Sequence, residues 1–287
     1  MTPKIIFITG CSSGIGYDAA IALKSRGHRV IASCRQLADI EKLQQLGLDT
    51  IQLDVNDEVS IATAVTCLLK KTDGHLDVLI NNAGYGQAGA LEDVPRNALI
   101  AQFNTNVFGL MELTRLVIPV MRAQGQGRII NMSSVLGFIS MPFRGAYNAS
   151  KYAVEGLSDT LRLELKPAGI DVITIEPGPI ESRFREHAVE HSMQSIDIEH
   201  SHFKRQYQYM LSKYQAAKHQ SRLTKKTDAV IHKLVRAIEA ESPKPKYLVT
   251  LPTYVFMILK RLFSVRLLDR CLFVISKREM SSSIDEN

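Results

Sequence analysis

The chain alternates between short apolar runs and longer stretches in which apolar residues recur every three or four positions. Short apolar runs predict β-strands, and the longer periodic stretches predict amphipathic helices. Their regular alternation is typical of β-α-β units, in which a helix connects two parallel strands. The pattern predicts seven strands, at Lys4–Thr9, Arg29–Ser33, Thr50–Leu53, Val78–Asn81, Arg128–Met132, Asp171–Glu176 and Lys246–Thr250.

The first strand indicates how the sheet is covered. Its residues from Ile5 to Ile8 are all apolar, as expected for a strand whose two faces both lie under helices. The sequence therefore predicts an α/β fold with a doubly wound parallel sheet of about seven strands. The first helix is expected to start near Tyr17, and two long helices are expected over Arg96–Ala123 and Tyr147–Lys166.

The chain is predicted to form one main domain, residues 1–250, followed by an extension over residues 251–287. A polar stretch that holds five of the eight histidines is interpreted as a lid over the sheet, at about residues 183–225. The extension is expected to form two short helices, Tyr254–Phe263 and Val265–Ile275. Its longest apolar stretch is interrupted by Pro252 and is too short to cross a bilayer.

Composition agrees with a folded protein that has a sizeable core. The 287 residues are 45% apolar and 22% charged, and they include no low-complexity tract. The four cysteines are far apart in sequence and form no CxxC pair, and the start of the chain leads into a strand. We therefore expect the protein in the cytoplasm, with contact to a membrane surface as a further option.

The net charge of +6 is concentrated near the end of the chain. Residues 242–279 hold eight Lys or Arg and two acidic residues, mixed with Leu, Phe and Ile. This mixture favours a membrane-facing surface over a nucleic-acid groove, because no stacking platform or recognition motif accompanies it. A solvated helix face remains an equally good interpretation.

A glycine-rich turn follows the first predicted strand. It reads Thr9-Gly10-Cys11-Ser12-Ser13-Gly14-Ile15-Gly16 and leads directly into a helix. Glycine allows close approach of the backbone, so the N–H groups of the turn and of the helix start can bind a pyrophosphate. The TGxxxGxG spacing resembles the short-chain dehydrogenase/reductase family, and this resemblance implies a Rossmann-type fold. We expect Gly10, Ser12, Ser13, Gly14, Ile15 and Gly16 to bind the cofactor.

The end of the second strand bears on the choice of cofactor. An acidic residue there binds the ribose 2′-hydroxyl of NAD, whereas an arginine can pair with the 2′-phosphate of NADP. This chain has Cys34 and Arg35, which favours NADP(H). An arginine that caps the next loop in water is the alternative. The resemblance further implies that Asp54 and Val55 contact the adenine and that Asn82, Ala83 and Gly84 line the cofactor site.

Tyr147 and Lys151 are four residues apart at the start of a predicted helix, which places them on one helix face. An ammonium group beside a phenol favours the phenolate, so we expect the pKa of Tyr147 to be lowered. Ser134 precedes Tyr147 by thirteen residues, and Asn106 lies on the preceding long helix. The family resemblance implies that Asn106, Ser134, Tyr147 and Lys151 form the catalytic set.

The segment after the sixth strand, Pro177-Gly178-Pro179-Ile180-Glu181-Ser182, resembles the PGPxxT element that binds nicotinamide in this family. We expect Pro177, Gly178, Ile180 and Ser182 to contact the cofactor, together with Tyr147 and Lys151. The resemblance implies hydride transfer between nicotinamide and a carbonyl or hydroxyl carbon, with Tyr147 passing the proton. It also implies a homodimer or tetramer, because the helices that carry Asn106 and Tyr147 form a common subunit interface.

The loop between Ser134 and Tyr147 is apolar and is expected to border the substrate. An apolar loop that packs against the lid is the alternative. The sequence around the motifs is most similar to the 17β-hydroxysteroid and retinol dehydrogenase-like branch, which implies a small hydrophobic carbonyl or alcohol substrate and no nucleic-acid partner. The residues expected to bind substrate are Ser134, Leu136, Met141, Phe143, Tyr147 and Phe184.

Other functions compete with this one. Within the enzyme class, a 3-oxoacyl or acyl-dihydroxyacetone phosphate reductase of lipid metabolism is the alternative. Outside it, the chain could be a non-catalytic NADP-binding protein or a membrane-surface adaptor. The HxxEH pattern from His187 to His191 resembles a zinc motif, but no third ligand is marked, and we expect no metal site.

Overall fold

The seven predicted strands form one sheet in the computed structural model, which describes residues 2–181, 184–215 and 223–280. The strands are β1 (Ile5–Ile8), β2 (Arg29–Cys34), β3 (Asp49–Gln52), β4 (Val78–Asn81), β5 (Gly127–Met132), β6 (Ile170–Glu176) and β7 (Lys246–Leu248). All neighbouring strands are parallel, in the order β3-β2-β1-β4-β5-β6-β7. The order reverses between β1 and β4, and in such sheets ligands bind at the carboxyl end of this switch point.

Helices cover both faces of the sheet, as predicted. They are α1 (Gly14–Ser25), α2 (Leu37–Gln45), α3 (Glu58–Lys71), α4 (Arg96–Phe103), α5 (Gly109–Gln124), α6 (Gly145–Leu165), α7 (Phe184–Ser195), α8 (Lys204–Gln215), α9 (Asp228–Glu239), α10 (Leu251–Leu262) and α11 (Val265–Met280). Buried residues of α1, α2 and α9 share one core, and those of α3, α5 and α6 share the other. The doubly wound, Rossmann-type fold is therefore confirmed.

The continuously apolar first strand owes its composition to these two cores. Ile6 and Ile8 belong to one core and Phe7 to the other, and all three side chains are fully buried. Successive side chains of a strand point to opposite faces, so a strand between two helical layers has no face in water.

Two predicted helices have different limits in the structure. The first helix starts at Gly14 instead of Tyr17, so Gly14 and Gly16 belong to its first turn. The predicted helix Arg96–Ala123 is divided into α4 and α5 by a π-helical turn, Asn104–Phe108. A π-helical turn holds an extra residue, and here it brings Asn106 to the inside of the protein, where it is 1% exposed.

The last two helices, α10 and α11, begin and end differently from the prediction. Helix α10 starts at Leu251, because Pro252 is tolerated in a first helical turn, and α11 continues to Met280. Both pack against the loop that follows β5. None of the helices in the described ranges is both long and apolar enough to cross a bilayer.

Candidate active site

The glycine turn lies at the carboxyl end of β1, at the switch point of the sheet. Gly10 and Gly14 have φ angles of +70° and +60°, which favour glycine strongly. Gly16 has no room for a side chain, because a Cβ atom there would lie 2.3 Å from the Gly10 carbonyl oxygen and 2.4 Å from Asn82 Nδ2. The backbone therefore forms a tight turn that a larger residue would open.

Asn82 and Ala83 hold the turn from the end of β4. The Asn82 side chain donates hydrogen bonds to the carbonyl oxygens of Thr9 and Gly10, at 2.9 and 3.0 Å. The backbone N–H groups of Asn82 and Ala83 donate to the hydroxyl of Thr9, at 3.0 and 2.9 Å. Thr9 was not among the predicted site residues, although its position between an apolar strand and a glycine could have indicated it.

The start of α1 fits a bound phosphate group. Its N-cap residue, Ser13, is extended, and its side chain makes no capping hydrogen bond within the described structure. The first N–H groups of a helix have no partner within the helix and carry partial positive charge. A pyrophosphate could accept hydrogen bonds from them, and Ser12 is exposed beside the same turn.

Two further predicted cofactor contacts lie at the ends of β2 and β3. Arg35 is exposed directly after β2, and the neighbouring turn is joined to this strand by a 2.9 Å hydrogen bond from Cys11 N to the Ser33 carbonyl oxygen. The Asp54 carboxylate accepts a 2.9 Å hydrogen bond from Asn56 N. The Val55 carbonyl oxygen would lie 2.0 Å from a Cβ atom at Gly109, so this loop packs directly on α5.

Ser134, Tyr147 and Lys151 come together at the carboxyl end of β5. The Ser134 hydroxyl accepts a 3.1 Å hydrogen bond from Leu136 N and faces the Tyr147 phenol. The Lys151 ammonium nitrogen lies 5.6 Å from the centre of the Tyr147 ring and donates a 2.7 Å hydrogen bond to the Met132 carbonyl oxygen. The tyrosine and the lysine share a face of α6 because they are four residues apart.

Burial determines the protonation of this pair. It raises the pKa of Tyr147 to about 12, although the hydrogen bond with Ser134 and the charge of Arg144 act in the opposite direction. Burial also lowers the pKa of Lys151 to about 8, against the effect of Glu155. The expectation that the pKa of Tyr147 is lowered is therefore wrong for this structure. The loss of solvation outweighs the favourable charges around the phenol.

Asn106 connects three segments of the chain behind Tyr147. Its side chain donates 3.0 Å hydrogen bonds to the Tyr85 carbonyl oxygen and to the Ser150 hydroxyl, and it accepts one of 3.1 Å from Tyr85 N. The Ser150 hydroxyl in turn donates to the carbonyl oxygen of Tyr147, at 2.8 Å. Asn106 thus links the segment after β4 to the start of α6. Ser150 was not predicted, because nothing in the sequence distinguishes it from an ordinary helix residue.

The segment after β6 lies against the loop that follows Ser134. The Pro177 carbonyl oxygen accepts a 2.8 Å hydrogen bond from Val135 N. A Cβ atom at Gly178 would lie 2.1 Å from the Thr250 hydroxyl oxygen, so the chain passes closely under α10. Ile180 is buried and forms an isolated bridge with Lys225. Ser182 lies outside the described residues.

The predicted substrate residues divide between two apolar clusters. Leu136 and Met141 belong to a cluster that includes Tyr147 and side chains of α10 and α11. Phe184, at the start of α7, has its ring centre 5.3 Å from that of Tyr147. Phe143 instead packs among residues of the predicted lid.

The backbone of Phe143 explains its position. Its φ angle is +58°, which is rare for a large side chain. The ring makes edge contacts with Phe203 and Tyr207, at 5.2 and 5.7 Å between ring centres. Phe143 therefore anchors the lid, and its contact with substrate stays a prediction.

The HxxEH pattern from His187 to His191 lies within α7. The side chains of His187 and His191 lie outside what the structure describes. Among the side chains that it does describe, no three His, Cys, Asp or Glu residues are close enough to hold a metal ion.

Together, the sheet, the glycine turn and the serine–tyrosine–lysine cluster define the class of nicotinamide-dependent oxidoreductases. The sequence model of the short chain dehydrogenase family matches residues 4–192. The protein belongs to the short chain dehydrogenase family. It is therefore an oxidoreductase with a nicotinamide cofactor and a small-molecule substrate.

Similar proteins extend this family likeness over almost the whole chain. An uncharacterized oxidoreductase of Escherichia coli, YbbO, is 39% identical over 269 residues, which are 94% of each chain. Human 17-beta-hydroxysteroid dehydrogenase type 1 is 33% identical over 263 residues, 87% of this chain and 78% of that protein. The crystal structure of a short-chain dehydrogenase from Streptomyces avermitilis has a TM-score of 0.75 and 27% identity, and the match covers 97% of this chain and 98% of that one.

Proposed function

We propose that the protein transfers a hydride between NADP(H) and a carbonyl or hydroxyl carbon of a hydrophobic substrate. The observation that carries this proposal is the grouping of the Ser134 hydroxyl and the buried Tyr147 phenol with the Lys151 ammonium, which lies 5.6 Å from the centre of the tyrosine ring. A hydroxyl pair of this kind can bind one substrate oxygen and exchange a proton with it.

Each side chain has a distinct role in the proposed reaction. Bound nicotinamide supplies the hydride chemistry. Ser134 donates a hydrogen bond to the substrate oxygen, and Tyr147 passes its phenolic proton to the same oxygen during reduction. Because burial raises the pKa of Tyr147 to about 12, the phenol holds its proton at neutral pH. The Lys151 ammonium stabilises the phenolate that this transfer leaves.

The preference for NADP(H) rests on Arg35. Its side chain is exposed at the carboxyl end of β2, next to the glycine turn, where a guanidinium group can pair with a 2′-phosphate. We assign the remaining predicted cofactor contacts to the glycine turn, to the loops after β3 and β4, and to the segment after β6.

The apolar surroundings of Tyr147 support a hydrophobic substrate. Leu136 and Met141 are almost fully buried next to the tyrosine, and the ring of Phe184 lies above it. Human 17-beta-hydroxysteroid dehydrogenase type 1, by its name, acts on a steroid hydroxyl. We therefore place steroid-like and other lipid-like carbonyl compounds first among candidate substrates.

The outer surface of α4, α5 and α6 supports a homo-oligomer as part of this proposal. Leu99, Ile100 and Leu163 are exposed there, and Phe108 in the π-helical turn is 58% exposed. Apolar surface of this kind is typical of subunit contacts. Analytical ultracentrifugation should find a dimer or tetramer that Phe108→Gln weakens, and a monomeric wild-type protein would contradict this assignment.

The proposed reaction can be tested with NADPH and a panel of steroid, retinoid and acyl carbonyl compounds. We expect Tyr147→Phe to lower kcat by at least about 100-fold, because the proton donor is lost. Its affinity for NADPH should be unchanged. Tyr152→Phe is the matched control, because this tyrosine is on the same helix with its side chain 39% exposed, and it should keep full activity. Full activity of Tyr147→Phe would refute the proposed role.

A further inference from the structure

An apolar stripe runs along the outer side of α10. Leu251, Val255, Ile258 and Leu262 are between 44% and 73% exposed and recur at helical spacing, so they lie on one face of the helix. Val265, which begins α11, is 75% exposed and continues this surface past the corner between the two helices. A soluble helix normally turns such a stripe toward the core, so this stripe requires another explanation.

The opposite side of the same helix pair is already packed. Phe256 and Met257 of α10 and Leu268 and Leu272 of α11 contact the loop after β5. Lys260 also faces this loop, because its ammonium group donates a 2.7 Å hydrogen bond to the Phe138 carbonyl oxygen. The helix pair is therefore held in place on its inner side and presents apolar side chains on its outer side.

Basic side chains accompany the exposed apolar residues. Arg261, Arg266, Arg270 and Lys277 are exposed, and they form no ion pair with any residue of the described ranges. Asp269 is the one acidic residue between Leu251 and Lys277. Helices that combine apolar residues with Lys and Arg bind at the boundary between headgroups and acyl chains of anionic membranes.

We propose that α10 and α11 dock the protein onto the surface of an anionic lipid bilayer. The apolar stripe enters the boundary region of the bilayer, and the arginines contact lipid phosphates. Charge favours this partner over a second copy of the chain, because a two-fold contact would set the basic residues of one copy against those of the other. Leaving this surface in solvent is unfavourable, because the whole apolar stripe would then be hydrated.

Docking would place the active site next to the bilayer. The loop after β5 holds Leu136 and Met141, and it is covered directly by the inner side of the helix pair. A hydrophobic substrate could then pass from lipid to Tyr147 without crossing water. This consequence rests on the proposed function, whereas docking itself can be measured without any substrate.

The test is sedimentation of the full-length protein with vesicles. Two compositions are compared, phosphatidylcholine alone and phosphatidylcholine mixed with phosphatidylglycerol. The wild-type protein should sediment with the mixed vesicles and much less with the neutral ones. Each removed basic residue should weaken binding about fivefold, since a Lys or Arg near an anionic surface contributes about 1 kcal/mol. Arg261→Gln combined with Arg266→Gln should therefore bind about 25-fold more weakly.

The apolar part of the surface is tested by Leu262→Gln combined with Val265→Gln, which should lower binding at least tenfold. The control is Leu46→Gln combined with Val59→Gln, which changes exposed apolar residues just after α2 and in α3 and should bind like the wild-type protein. Thermal unfolding and NADPH binding of each variant verify that it is folded.

Three results would overturn the proposal. The first is a wild-type protein that stays in solution with both kinds of vesicle. The second is vesicle binding equal to that of the wild-type protein by the variants with substitutions in the helix pair. The third is a change from oligomer to monomer in the Leu262 and Val265 variant without any change in vesicle binding, which would assign this surface to a second copy of the chain.

Discussion

The buried carboxyl groups of Glu155, on α6, and Glu176, at the end of β6, share one neighbouring cation, the ammonium group of Lys246. Glu176 is fully buried, and Glu155 is 8% exposed. The Lys246 ammonium nitrogen lies 2.5 Å from a Glu155 oxygen and 3.9 Å from a Glu176 oxygen. Burial and the nearby charge of Glu155 both favour a proton on Glu176. Glu155 lies one helical turn beyond Lys151 on α6.

This pair predicts that stability depends on pH. Burial, followed by the nearby charge of Glu155, raises the pKa of Glu176 from its ordinary 4.5 to about 7. A carboxyl group with a raised pKa destabilises the folded state as the pH rises, because the unfolded chain loses the proton first. We expect Glu176→Gln to gain stability relative to the wild-type protein between about pH 4.5 and pH 7, by on the order of 1–3 kcal/mol.

Urea unfolding at several pH values measures this difference. The control is Glu164→Gln, which removes an exposed carboxylate from α6, the helix of Glu155, and whose effect should not change over this range. A constant difference between Glu176→Gln and the wild-type protein would contradict the raised pKa of Glu176.

The glycine turn gives a second prediction. Gly16→Ala should abolish cofactor binding and destabilise the fold by about 2 kcal/mol or more, because the new Cβ atom would overlap the Gly10 carbonyl oxygen. Gly156→Ala is the control. It lies within α6 with no atom near its Cβ position, and it should be neutral or stabilising by up to about 1 kcal/mol. NADPH titration and thermal unfolding give both quantities, and normal cofactor binding by Gly16→Ala would contradict the description of the turn.

The Tyr207 hydroxyl is one of the groups that join the predicted lid to the segment after β4. Tyr207 accepts a 2.8 Å hydrogen bond from Ala90 N and donates one of 2.9 Å to Asp93. Tyr207→Phe would leave the buried Ala90 N–H without a partner, at a cost of about 1–3 kcal/mol. We expect faster proteolysis within the lid and a higher KM with little change in kcat. An unchanged rate of proteolysis would show that the lid does not depend on this contact.

The strands were predictable to within two residues because most of them contain a short apolar run between longer helical segments. The glycine turn and the cluster of Tyr147 and Lys151 were also predictable, since local spacing determines both. The contact between Glu155, Glu176 and Lys246 was not, because it joins three segments that are far apart in the sequence. The left-handed backbone of Phe143, which directs its ring to Phe203 and Tyr207, was also not predictable, because no neighbouring residue indicates that conformation.

The role of Arg35 leads to a prediction about cofactor choice. Arg35→Asp replaces a partner for a 2′-phosphate by a group that repels it and can bind a 2′-hydroxyl. We expect this variant to bind NADPH at least tenfold more weakly and NADH more tightly than the wild-type protein does. Arg122→Asp, an exposed charge reversal in the last turn of α5, is the control and should change neither affinity. Equal loss of both cofactors would assign Arg35 to the fold instead.

The most direct test of the account is titration of the purified wild-type protein with NADPH and with NADH, followed by nicotinamide fluorescence. The proposed NADP(H) site predicts saturable binding of NADPH with an affinity at least tenfold higher than that for NADH. Binding of neither cofactor would contradict the proposed oxidoreductase site, and equal or tighter binding of NADH would contradict the assignment of NADP(H) through Arg35.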